Sequence, residues 1–268
     1  MFTDSHCHLT YPGLVENHAA VFAAMQAAQV DRALCICTTM EEFEQVHALA
    51  LAQDFIWASV GVHPDTEDMA EPSVADLVAR AALPRVVAIG ETGLDYYQME
   101  TRKGGRSIAD LGWQRERFSV HIEAARRTDL PLVIHERDAS ADTLAMLRSE
   151  GQGGGGTEAR GVFHCFADTR EVARAALDLG FYVSFSGIVT FKSAKELQEV
   201  AQFVPDDRLL IETDSPYLAP VPFRGKTNTP ALVPHVAAKL AELRGASVEA
   251  IAATTAQNFN HLFSKACA

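Results

Sequence analysis

Phe2-Thr3-Asp4-Ser5-His6-Cys7-His8 opens the chain, a short extended run that finishes in side chains able to do chemistry. Residues two apart in an extended chain point to the same side, so His6 and His8 can bind one metal ion together. The pattern recurs: Val86-Val87-Ala88-Ile89-Gly90 ends on Glu91, Pro131-Leu132-Val133-Ile134 on His135, Gly161-Val162-Phe163 on His164, and Leu209-Leu210-Ile211 is followed by Asp214. Strands are accordingly expected at Phe2 to His6, Ala33 to Cys37, Ile56 to Val62, Val86 to Gly90, Leu132 to His135, Gly161 to Cys165, Tyr182 to Phe185 and Leu209 to Glu212. Helical spacing of small and apolar residues marks Asn17 to Gln29, Met40 to Gln53, Trp113 to Thr128, Ala139 to Arg148 and Asp168 to Leu179. Alternation of this kind predicts an α/β fold, a TIM (β/α)8 barrel with a metal site at its C-terminal mouth. Pro230 to Arg244 and Ser247 to Phe263 would close the barrel and add an extra C-terminal helix, so residues 1–268 read as a single domain.

Composition agrees with an ordinary globular enzyme. Apolar residues make up 48% and charged residues 22% of 268 positions, which excludes disordered, collagen-like and coiled-coil chains. The net charge of −12 argues against a broad basic face that clamps nucleic acid, so an anionic substrate would be held locally. No apolar run reaches membrane-spanning length and the N-terminus lacks the features of a signal peptide, which places the protein in the cytoplasm. Cys7, Cys35, Cys37, Cys165 and Cys267 are odd in number and form no C-x-x-C pair, so they are expected as reduced thiols, with Cys35 and Cys37 in the core.

His6, His8, Glu91, His135, His164 and Asp214 would all converge on one barrel mouth. Charges gathered there without a partner would repel or be costly to desolvate, and a metal resolves the conflict. Imidazoles suit zinc and carboxylates suit magnesium or manganese, so the mixed set leaves the ion open among Mg, Mn and Zn. Two stretches interrupt the regular pattern. Gln98 to Gly112, with Arg102, Lys103 and Arg106, is a long loop on the functional rim whose cations can meet an anionic substrate; Gly151 to Gly156 is a flexible connector on the opposite face.

Taken together, these segments resemble the TatD family of metal-dependent deoxyribonucleases, within the amidohydrolase-like barrels. The resemblance rests on Asp4-Ser5-His6-Cys7-His8-Leu9, Gly61-Val62-His63-Pro64, Gly90-Glu91-Thr92-Gly93-Leu94-Asp95-Tyr96-Tyr97, Ile134-His135 with Arg137-Asp138-Ala139, Phe163-His164-Cys165-Phe166, and Glu212-Thr213-Asp214-Ser215-Pro216-Tyr217-Leu218. It implies two divalent metal ions that share Glu91, with His6, His8 and Asp214 at one position and His135 and His164 at the other. It also implies a 3′–5′ exodeoxyribonuclease acting on DNA ends, single-stranded ones in particular, without a membrane or an obligate protein partner. Three departures bear on substrate: Glu136 stands where the family usually has serine, Thr229 replaces a glutamate, and the 98–112 loop is longer than usual. A carboxylate at position 136 would repel a phosphate unless it turns away.

The expected chemistry is hydrolysis by metal-activated water. Asp214 is the candidate general base, and Glu91 is the candidate bridging ligand because its two oxygens can each address one cation. His63 and Arg224 are candidates to face a substrate phosphate, and Tyr96 and Tyr97 to stack on a base. The alternative is an amidohydrolase-type enzyme opening a small amide, ester or lactone, since a polarised carbonyl needs the same water. A silent protein with a structural metal fits less well, because such sites usually close their shell with Cys and His.

Overall fold

A computed structural model describes residues 1–97, 105–152 and 157–267. Its parallel sheet runs in chain order through β1 (Phe2–Cys7), β2 (Val30–Cys35), β3 (Ile56–Val60), β4 (Val86–Asp95), β5 (Leu132–Arg137), β6 (Gly161–Phe163), β7 (Tyr182–Phe185) and β8 (Leu209–Ile211). The last strand returns to the first: Asp214 N–H donates to His6 O at 3.0 Å, His8 N–H donates to Ser215 O at 2.8 Å, and Cys7 bridges Ser215. This is the expected barrel. Its helices are α1 (His18–Ala27), α2 (Phe43–Ala52), α3 (Val74–Ala81), α4 (Gly112–Thr128), α5 (Ser140–Ser149), α6 (Arg170–Asp178), α7 (Lys195–Phe203), α8 (Val233–Arg244) and α9 (Val248–Leu262).

Alternating side chains divide the core in two. Ala33, Cys35 and Cys37 join the layer packed against the helices, while Leu34 and Ile36 join Val87, Val133, Val162, Tyr182 and Leu210 in a separate cluster, the barrel lumen. Phe259, Leu262 and Phe263 belong to that lumen cluster, so the extra C-terminal helix α9 plugs one end of the barrel. Both faces of the strands are thus buried, which is why they read as apolar runs without alternation. The cysteines are unpaired, and Cys35 and Cys37 are fully buried.

Two helices left unassigned by the sequence reading complete the alternation. At the start of α3, Ser73 Oγ accepts from Asp76 N–H while the Asp76 carboxylate accepts from Ser73 N–H, a capping box. Helix α7 fills the interval between β7 and β8. Strand β4 is longer than expected, running on to Asp95, and its register with β5 slips between Ile89 and Thr92. A similar slip separates Asp4 from Cys7 in β1. Such irregularities re-aim side chains, and these two flank Glu91 and His6. No helix among the described residues is long and apolar enough to cross a membrane.

Part of the long loop after β4, residues 98–104, lies outside the described residues, as do residues 153–156 of the glycine-rich connector. The remainder of the long loop is anchored. Arg106 pairs with Glu67 at 2.6 Å, and Ser107 with Asp110 caps a short 3-10 turn at Ile108–Leu111.

Candidate metal centre

Glu91 lies at the middle of the barrel mouth with its carboxylate almost completely buried, and its two oxygens face different partners. Oε2 is 3.4 Å from His6 Nε2 and 3.8 Å from His8 Nε2. Those two nitrogens are 3.2 Å apart and lie 3.6 and 3.3 Å from Asp214 Oδ1. Oε1 instead faces His164 Nε2 at 2.9 Å, His135 Nδ1 at 3.2 Å and His63 Nε2 at 3.4 Å. The six residues expected at the strand ends therefore meet around one carboxylate, joined by His63.

Partners behind the rings fix which nitrogen His135, His164 and His63 present. His135 Nε2 lies 3.1 Å from Asp95 Oδ2, so that nitrogen carries the proton and Nδ1 turns its lone pair toward Glu91. In the same way His164 Nδ1 is 3.3 Å from Glu212 Oε1, which turns Nε2 to Glu91. His63 is the reverse case. Its Nδ1 accepts the Asp65 N–H at 3.0 Å, so in the neutral ring Nε2 bears the hydrogen and is a donor, not a ligand. Burial pulls His63 down to about 3, which keeps it neutral.

Asp95 and Glu212 are site residues that sequence reasoning quoted only within motifs. The signal available was their position, four residues past Glu91 and two before Asp214. Asp95 is held in turn by Tyr97 N–H on Oδ1, while its own N–H donates to Gln114 Oε1. Asp4, fully buried, accepts from Thr213 N–H at 2.9 Å, Thr213 Oγ1–H at 2.5 Å and His6 N–H at 3.2 Å. It locks β1 to the segment after β8 and so sets His6 against Asp214.

The donor set fits cations. Oε2 of Glu91 is buried without a hydrogen-bond partner, and the Nε2 atoms of His6 and His8 converge on it and on Asp214 Oδ1. His6, His8 and Asp214 bring ligand atoms close enough together to hold a metal ion, as do His63, Glu91 and His135; the tautomer of His63 assigns the latter position to Glu91 and His135 with His164. Burial alone would raise Glu91, yet the surrounding imidazoles, His164 first among them, hold it well below the usual carboxylate range. Burial likewise opposes the charge on Asp214, but the His8 hydrogen bond and the neighbouring imidazoles lower it. Both carboxylates are therefore ionised and available to a cation. Asp214 and Cys165 both adopt left-handed backbone, with φ of 54° and 42°, a local cost of the kind that collects at functional sites.

A cavity of about 680 Å³ opens above these residues, lined also by Tyr11, Thr38, Asp65, Arg137, Glu136, Ile188 and Tyr217. His63 lines it as well. Two other candidates do not: Tyr96 is 6% exposed, its hydroxyl donating to Asp142 and accepting from Arg115, and Arg224 lies over the Phe191 ring on the surface. Both are drawn away by local partners invisible in one dimension. Arg137 lines the cavity in their place, its guanidinium 3.5 Å from the centre of the Tyr97 ring. Glu136 turns toward the chain, accepting the Ala139 N–H at 2.8 Å, and burial pushes it up to about 7, so its repulsion of an anion is reduced. Thr229 lies outside the cavity, where its N–H donates to Asn228 Oδ1.

A model of the TatD related DNase family matches residues 3–264. The uncharacterized metal-dependent hydrolase YcfH of Escherichia coli (strain K12) is 46% identical over 264 residues, 97% of this chain and 94% of its own. The 3′-5′ ssDNA/RNA exonuclease TatD of Citrobacter rodentium (strain ICC168) is 33% identical over 266 residues, 97% of each chain. Among solved structures, YJJV, a TatD homolog from Escherichia coli K12, superposes with a TM-score of 0.87 at 28% identity and covers 98% of both chains. With a family match along almost its whole length and a barrel mouth built to hold cations, the chain belongs to the TatD family and is a metal-dependent hydrolase.

Proposed function

We propose that the protein hydrolyses phosphodiester bonds at DNA ends, in the 3′-to-5′ direction and on single strands by preference. The observation that carries this reading is the divided Glu91 carboxylate, set at the floor of a cavity whose walls offer neutral N–H and guanidinium donors. The exonuclease name of the Citrobacter relative supports the substrate class.

His6, His8 and Asp214 with Glu91 Oε2 would hold one divalent ion, and His135 and His164 with Glu91 Oε1 a second. Such ions lower the pKa of water and neutralise charge building on the attacked phosphate and the leaving oxygen. Asp214 turns Oδ1 toward His6 and His8, so Oδ2 is the oxygen available to take the proton of the attacking water. His63 Nε2–H can donate to a non-bridging phosphate oxygen, and Arg137, braced on Tyr97, presents a planar fork to the same anion. The net charge of −12 gives no overall attraction for DNA, so binding is expected to concentrate on this mouth.

The test uses chelated protein resupplied with Mg²⁺, Mn²⁺ or Zn²⁺ and single- or double-stranded DNA labelled at the 5′ end. A metal-dependent ladder shortening from the 3′ end, absent in Asp214→Asn, is the expected result. Absence of cleavage despite measured metal occupancy would overturn the reading in favour of a small amide, ester or lactone.

A further inference from the structure

Tyr217 is a large aromatic residue left 55% exposed beside the metal centre, three positions after Asp214 and lining the same cavity. Its surroundings are rigid. The Tyr217 N–H donates to Asp214 O at 3.0 Å, and its carbonyl accepts from Asn228 Nδ2 at 2.6 Å, with the fully buried Asn228 also donating to Thr213 O. On the neighbouring loop, a Cβ at Gly187 would fall 1.9 Å from Leu218 O, so only glycine lets the two loops approach this closely.

The Tyr217 ring meets Tyr11 edge to face, with centroids 6.3 Å apart and planes at 80°. Tyr11 in turn stacks on His8 at 4.6 Å and 22°. Its hydroxyl is held by Thr38 Oγ1 at 2.8 Å, and Thr38 is fixed by its own bond to Glu42. An aromatic wall thus runs from His8 to the cavity rim, with Ile188 and Leu218 adding apolar surface to the same cavity. An exposed ring on locked backbone contributes little to the core, but it can bind a flat partner without reorganisation.

We propose that Tyr217, seated against Tyr11, is the stacking platform for the base of the 3′-terminal nucleotide, an inference that rests on the phosphodiesterase reading. A nucleobase is the flat, weakly polar group that accompanies a phosphate, and aromatic faces stack on all four bases without reading their edges. The wall starts at His8, so a base upon it stays within reach of a phosphate at the metals. Tyr217 therefore replaces Tyr96 as the aromatic contact. It sets affinity for an unpaired end and leaves the choice among the four bases nearly open.

Two measurements test the platform. Oligonucleotides with a natural or an abasic 3′-terminal nucleotide are compared in steady-state cleavage by the wild type, Tyr217→Ala and Tyr217→Trp. Stacking on a base predicts a rise in KM of about tenfold for the abasic end and for Tyr217→Ala. It also predicts little change in kcat, no further abasic penalty in Tyr217→Ala, and recovery in Tyr217→Trp. Quenching of a 3′-terminal 2-aminopurine on binding to metal-loaded protein reports stacking without any turnover. Quenching that depends on Tyr217 in a protein that cuts no DNA would sustain the platform and refute the nuclease reading. Cleavage or quenching indifferent to Tyr217 would overturn the platform alone.

Discussion

Replacing His121 by glutamine should flatten the acid side of the stability profile. His121 in α4 is fully buried, accepts the Val62 N–H on Nε2 at 3.0 Å and donates Nδ1–H to Arg117 O at 2.8 Å. Protonation would set a new N–H against the Val62 N–H, and burial pulls the ring down to about 4 from its ordinary 6.5. The unfolded chain takes up its proton near pH 6.5 while the native state resists until about pH 4. Stability is therefore undiminished above pH 6.5, falls across the window from 6.5 to 4, and levels off below it. A shift of this size is worth about 3.4 kcal/mol in full, and about 2.5 kcal/mol between pH 7.5 and 4.5. Glutamine keeps an acceptor for Val62 and cannot titrate. Urea unfolding of chelated wild type and His121→Gln at those two pH values isolates the effect, because the histidines of the mouth titrate in both proteins. The wild type should lose about 2.5 kcal/mol more than the variant; parallel losses would refute the argument.

The carboxylates behind the ligands give a second expectation: Asp95→Asn and Glu212→Gln should each weaken metal binding by about 10- to 100-fold with the fold retained, as read by calorimetric titration. Unchanged affinity would remove them as orienting groups. A Cβ at position 93 would lie 2.0 Å from His135 O on a backbone with φ of +134°, so Gly93→Ala should cost about 1–3 kcal/mol in chemical unfolding and weaken metal binding by displacing His135. A variant as stable as wild type would show that the strands separate freely there. Because only the folded barrel brings His6, His8 and Asp214 close enough to share a cation, metal should stabilise the native state, by about 2.7 kcal/mol at a free concentration 100-fold above Kd. A melting curve unmoved by metal would contradict that linkage.

Most of the fold, and the groups gathered at the candidate metal centre, were legible in one dimension for the same reason. A parallel barrel buries both faces of each strand, so strands stand out as apolar runs, and it delivers the residue after each run to one mouth. His6, Glu91, His135 and His164 could therefore be picked by position alone, although β4 ran on past Glu91 to Asp95. Helices α3 and α7 were harder to see, lying in the intervals before β4 and β8.

What the sequence could not reveal was partnership between side chains far apart in the chain. Asp95 and Glu212 become orienting groups only because strand pairing brings them behind His135 and His164. His63 is a donor and not a ligand because the Asp65 N–H occupies its Nδ1. Tyr96 and Arg224 turn to local partners while Arg137 and Tyr217 face the cavity, because side-chain direction depends on packing neighbours that spacing does not specify. Burial and the order of strands make the barrel and the set of groups at its mouth readable from the chain alone. Which nitrogen, oxygen and ring each group presents is a property of the closed barrel, since those choices are made by hydrogen bonds and contacts that exist only after closure.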